Sequence, residues 1–244
     1  MVMVSGGIAV SGDKLWYSTD GGKSWLSCGT APFGSGVGVV EDIKYRNGRW
    51  VACGSNNTNA DEQVWWSDNG RDWNLATSNP QVSTCYSVGF FNNLWVISGT
   101  ASSGSNPLSY SSDGKAWENV STSVTFDGES LYKVIPPPGP QGKWSAVGTT
   151  GGTAKAYQLV STDGVMWTEV DVTDLFPTDG GFFLYAESGK SDGDVSNSNR
   201  AVGGGQASSE TTVYCTDDYV NWYRGGSPFG TTSVQIHNIV WGVA

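Results

Sequence analysis

The sequence predicts an all-β chain, a β-propeller of four-stranded antiparallel blades. Three observations carry that expectation: five polar turns closed by tryptophan recur along the chain, a two-strand pattern recurs between them, and no segment shows helical periodicity. Five blades are expected, with six as the alternative, in a single domain spanning residues 1–244.

The turns are STDGGKSW (18–25), SDNGRDW (67–73), SSDGKAW (111–117), STDGVMW (161–167) and CTDDYVNW (215–222). Their closing tryptophans, Trp25, Trp73, Trp117, Trp167 and Trp222, recur at roughly the 40–50-residue period of a propeller blade. An aspartate at such a turn accepts hydrogen bonds from the turn's own backbone N–H groups, and glycine takes the positive-φ positions. The tryptophan then opens the next strand and can bury on the order of 200 Å² against a neighbouring sheet. The motif reads as a folding staple.

The other half of the unit is an A–B hairpin. IKYRNGRWVACG (43–54) matches VGFFNNLWVISG (88–99), and looser copies occupy 131–148 and 182–204. The segment 2–12 reads as a compact copy. Asn47-Gly48 is the dipeptide of a type I′ turn. Residues 233–244 read as a further A–B pair with no C–D pair behind it. That tail is expected to complete the ring, either with the chain's own N-terminus or with a neighbour, since its alternating Val234, Ile236, Ile239, Trp241 and Val243 need cover.

The turn motif resembles the Asp-box, or BNR repeat, of sialidase-like β-propellers. Ser18, Asp20, Gly22 and Trp25 fill its defining positions in the first copy. The second keeps Asp68, Gly70 and Trp73, with Trp66 where the serine would stand. Ser111, Asp113 and Trp117, then Ser161, Asp163 and Trp167, make the third and fourth, and Asp217 and Trp222 the fifth. The resemblance implies the fold and a structural role for these residues. Sialidase-like enzymes of this fold gather three arginines on the substrate carboxylate, with a Tyr/Glu nucleophile pair and an acid/base Asp. This chain has Arg46, Arg49, Arg71, Arg200 and Arg224, which read as solvated loop residues, and lacks the Arg-Ile-Pro signature. His237 is the single histidine. The chain is therefore expected not to be an enzyme, and neither a metal nor another cofactor is implied.

Thirteen basic against 23 acidic residues, with no basic run, argue against nucleic acid and membrane partners. No apolar stretch reaches membrane-span length, and the N-terminus lacks a basic leader region. Cys28, Cys53, Cys85 and Cys215 form no metal-type pair and read as small buried thiols. The expected function is a structural or decorating module of a larger assembly, a virion formed in the host cytoplasm, with other proteins as partners and self-association through the tail half-blade. A cytoplasmic or extracellular setting is the alternative. The competing reading is a carbohydrate-binding propeller, with Trp16, Trp65, Trp66, Tyr110 and Tyr214 as the candidate stacking residues. A glycoside hydrolase and an assembly factor of the photosystem II type stand behind these two.

Overall fold

Alternating side chains separated by Asn-Gly or Asn-Asn give antiparallel hairpins through the computed structural model, and every element among the described residues is a strand. The structure describes residues 1–29, 32–56, 59, 62–78, 80, 82–101, 105–122, 124, 126, 129–137, 142–150, 156–172, 185–188, 201–204, 213–216, 221 and 223–226. Past residue 172 the side chains described are those of Asn221 and Tyr223. The chain forms two compact units, Met1–Val120 and Ser121–Ala244.

The first unit holds three sheets. In the first, β1 (Met3–Gly6) pairs with β3 (Leu15–Ser18), and β3 with β4 (Leu26–Ser27). The intervening β2 (Ile8–Ala9) does not fold back on β1 as the compact hairpin read from residues 2–12 requires. It pairs with β5 (Gly38–Arg46) of the second sheet. Gly7 is the crossing point: its N–H donates to Lys14 O at 3.3 Å, and its carbonyl accepts from Val40 N at 3.1 Å. The second sheet continues through β6 (Arg49–Asn56), β7 (Val64–Ser67) and β8 (Asn74–Leu75). The third runs β9 (Val82–Phe91), β10 (Leu94–Ala101), β11 (Leu108–Ser111) and β12 (Glu118–Asn119). Asn47 and Gly48 (φ 50° and 78°), and Asn92 and Asn93 (φ 50° and 61°), hold the left-handed backbone that their two-residue turns require.

These sheets stack face to face. Leu15, with Val4 and Tyr17 beside it, meets Val40, Ala52, Trp65 and Trp73 of the second sheet. The opposite face of the second sheet gives Val51, Cys53 and Val64 to a layer shared with Cys85, Val88, Trp95, Ile97 and Trp117 of the third. Antiparallel sheets of three to five strands packed in succession are the blades of a β-propeller.

One device repeats in both units. The register slips so that Glu41, Tyr86 and Tyr132 are each an extra residue, opposite Gly54, Gly99 and Gly148. A Cβ on those glycines would stand 1.9, 2.0 and 1.8 Å from the carbonyl oxygens of Val39, Thr84 and Ser130. The glycine near the end of each of these three strands therefore admits the bulged neighbour.

In the second unit, β14 (Ser130–Ile135), β15 (Trp144–Thr149), β16 (Ala156–Ser161) and β17 (Met166–Val170) form one antiparallel blade. A short β13 (Ser121–Thr122) lies parallel to β17. All six residues of β15 and all six of β16 are buried, as a blade covered on both faces demands. Another antiparallel sheet follows, β18 (Tyr185–Ser188), β19 (Ala201–Gly204), β20 (Val213–Thr216) and β21 (Tyr223–Gly226). The tail at 233–244, Asp217, Trp222, Arg200 and His237 lie outside the described residues.

Candidate functional site

Each turn is built from its serine outward. Ser111 Oγ donates to Asp113 Oδ1 at 3.0 Å and accepts from Gly114 N at 2.8 Å. Asp113 Oδ1 then accepts from Lys115 N and Ala116 N at 2.8 and 3.0 Å. Ser161, Asp163, Gly164, Val165 and Met166 repeat this atom for atom. In the first turn the extra glycine moves the bond to Ser18 Oγ onto Gly22 N, at 2.9 Å, and Asp20 takes Lys23 N, Ser24 N and the Ser24 hydroxyl.

The second turn corrects the alignment read from the sequence. Ser67, not Trp66, is its serine, and Asn69, not Asp68, is its acceptor. Asn69 Oδ1 receives Arg71 N and Asp72 N at 2.8 and 2.9 Å. The acceptor must stand two residues past the serine to face these N–H groups. Asp68, one residue early, points instead to Arg49, at 2.8 Å, and Lys115, at 3.9 Å.

The closing tryptophans divide. Trp73, Trp117 and Trp167 are buried, while Trp25 is 37% exposed. Trp25 and Trp167 donate their indole N–H to the turn carbonyls of Gly22 and Gly164, at 3.1 and 3.0 Å.

Beyond the second and third turns lies a latch that the sequence analysis missed. The cation two residues past the turn acceptor covers the aromatic ring just before the serine of the preceding blade. Arg71 stands 5.5 Å from the Tyr17 ring, and Lys115 4.1 Å from the Trp66 ring. Arg49 also lies over Trp66, at 5.4 Å, and its guanidinium binds both Asp68 and the Asp113 carbonyl. Arg49 and Arg71 are thus joint residues, not solvated loop residues. The backbone joins in: Thr77 N donates to Lys115 O at 2.9 Å, and Ser121 N to Val165 O, the matching carbonyl, at 2.8 Å.

The electrostatics follow from these bonds. The Ser24 hydroxyl, then the Ser24 N–H and Ser18 hydroxyl, hold the Asp20 carboxyl well below the usual range. At Asp113 and Asp163 burial pushes upward, but the turn N–H groups and the serine hydroxyl outweigh it, and both end lowered. A carboxyl whose pKa is lower folded than unfolded stabilises above its ordinary value and loses that contribution as pH falls. The melting temperature is therefore expected to fall as the solution is acidified below about pH 4. Asp113→Asn should keep the fold, as Asn69 does in its own turn, and flatten that slope; thermal melts across the acid range check this.

Of the candidate stacking residues, Trp65 is buried against Phe33, ring centroids 6.2 Å apart, and Trp66 lies beneath its two cations, so neither offers a free ring. Tyr110 donates its hydroxyl to Glu118 at 2.7 Å, across the β11–β12 pair. Tyr214 lies in β20, where only the backbone is described. Trp16 remains, 41% exposed. Its cross-strand partner Ser27 donates to Asp13 Oδ2 at 2.5 Å, and its own indole N–H donates to Asp13 O at 3.4 Å. Met3 and Trp16 stand on the same face of the first blade, opposite the face that Leu15 packs on the second. Trp16 thus presents a partly exposed indole beside a carboxylate and a hydroxyl.

No family model matches this chain, and no curated protein does. Among solved structures, it is similar to a GH32 beta-fructofuranosidase of Bombyx mori in complex with sucrose, at 14% identity and a TM-score of 0.35. The match covers 82% of this chain, which spans 55% of that one. The comparison corrects one expectation: the sequence reads as that of a protein without enzymatic activity, and the structure it resembles is an enzyme's. No activity is carried over to this chain from that likeness.

Proposed function

We propose that this chain is a binding propeller, a structural or decorating subunit of a larger particle such as a virion, and that it contacts a neighbouring subunit through the open face of its first blade. The observation behind this reading is the exposure of that blade's apolar side chains. Met3 and Trp16 are 39% and 41% exposed on one face, and Ile8 and Val10 at the crossing are 74% and 77% exposed. Single exposed apolar residues are ordinary, but a group of them marks a contact surface. In the second blade Trp65, which matches Trp16 in its place before the turn serine, is buried.

The test uses purified particles and the full chain. The chain is expected in such particles at a stoichiometric copy number. Trp16→Asp should leave its melting temperature nearly unchanged and remove it from them. A Trp16→Asp chain incorporated as the wild type is would contradict the reading.

A carbohydrate-binding propeller is the second reading, favoured by the Trp16–Asp13–Ser27 group, since an open ring with polar neighbours suits a sugar face. Binding on a glycan array that Trp16→Ala abolishes, with no particle association, would select it.

A further inference from the structure

The joint between the second and third blades contains two thiols. Cys53 on β6 and Cys85 on β9 are both fully buried, free, and part of one apolar layer with Val51, Val64, Val88 and Ile97. They come from different blades, which meet at the carboxylate of Asp42, the cross-strand partner of Cys53: it accepts from Ser87 Oγ at 3.3 Å and from Val88 N at 3.1 Å, two and three residues past Cys85. Both sit beside the bulges: Cys53 opposite Asp42, and Cys85 opposite Gly99. Cys85 Sγ also lies 3.9 Å from Ser87 O. The third described thiol, Cys28, belongs to the other interface, against Trp73 and 3.8 Å from Gly70 O, so the pairing is specific.

We propose that Cys53 and Cys85 are a redox pair that closes into a disulfide across the joint between the second and third blades. The oxidant is a small-molecule disulfide such as glutathione disulfide. One thiol gives up its proton, and its thiolate attacks a sulfur of the oxidant, releasing one glutathione thiolate. The second thiol does the same to the mixed disulfide, forming the Cys53–Cys85 bond and releasing the other glutathione. Two protons and two electrons leave the protein, and one glutathione disulfide becomes two thiols. Burial holds the Cys53 thiol well above its ordinary range, so the thiolate forms only when the joint opens. The reaction is accordingly slow in the native state and quickens with pH. Once closed, the bond constrains the unfolded chain and ties two blades that noncovalent packing otherwise holds.

The experiment takes the full chain through glutathione buffers of increasing oxidising poise, with and without a sub-denaturing level of urea, followed by intact-mass and peptide mapping. Expected are a loss of two hydrogens, a linked pair of peptides containing Cys53 and Cys85, and a melting temperature raised by several degrees, all reversed by dithiothreitol. Cys53→Ser and Cys85→Ser should each abolish the link, Cys53→Ala and Cys85→Ala serving if the serines do not fold, and Cys28→Ser should keep it. Stable glutathione adducts at either cysteine, a link through Cys28 or Cys215, or thiols that stay free under urea would each overturn the proposal.

Discussion

Trp117→Ala is expected to cost about 3–5 kcal/mol of folding stability, the range for emptying a large buried aromatic site. Trp117 is 3% exposed and lies in the layer between the second and third blades, with Val51, Cys53 and Trp95. Its backbone is part of the same joint: Trp117 N donates to Ser78 Oγ at 2.5 Å, and Ser78 Oγ donates to Trp117 O at 2.8 Å. Removing the ring leaves a cavity where two sheets meet, and neither sheet can collapse without breaking those bonds. Trp25→Ala, at the same turn position but 37% exposed, should cost far less, on the order of 1 kcal/mol. Urea unfolding of both variants measures the difference. Equal costs would mean that the turn, not the interface, is what the tryptophan stabilises.

Gly99→Ala is expected to be at least as damaging, giving insoluble protein or a loss above about 3 kcal/mol, because overpacking against backbone has no side chain to move aside. The new Cβ would lie 2.0 Å from Thr84 O and 3.1 Å from the Val82 Cβ. The carbonyl belongs to the strand that carries the bulge at Tyr86, so relief means undoing the register of β9 on β10. Gly148→Ala should behave alike, its Cβ 1.8 Å from Ser130 O. Gly7→Ala is the control, since nothing lies within 4 Å of its Cβ. Soluble expression and thermal melts of the three variants are the measurement, and a Gly99→Ala chain as stable as Gly7→Ala would remove the bulge from the account.

Much of the fold was legible because the repeat carries its own chemistry. A serine, an acceptor two residues on, a glycine and a tryptophan leave little choice of turn, and Asn47-Gly48 leaves little choice of hairpin. The second turn was misaligned because SDNG offers two acceptors, Asp68 and Asn69, and only geometry shows which faces the N–H groups. The first blade was misread because alternation in residues 2–12 says nothing about which neighbour a strand pairs with, and β2 joins the second sheet. Trp65 and Trp66 kept equal standing as sugar platforms for the same reason: adjacent strand residues face opposite ways, but pattern does not show what covers each face. The latch did have a sequence signal. Tyr17 with Arg71, and Trp66 with Lys115, occupy fixed places relative to successive turns, and aligning the copies by serine exposes the pairing. The dithiol had none, since Cys53 and Cys85 meet only once two blades stack.

The turn is the element that ties one blade to the next, and amide hydrogen exchange tests that most directly. Lys115 N, exposed in the turn, and Gly114 N, buried beneath it, should exchange as slowly as strand amides, because the Asp113 carboxylate and Ser111 hydroxyl hold them. Thr77 N, bound to Lys115 O from the preceding blade, should be protected with them. In Ser111→Ala all three should lose protection together. Turn amides that exchange at solvent-loop rates in the wild type, or a Ser111→Ala chain that loses Gly114 while keeping Thr77, would contradict it.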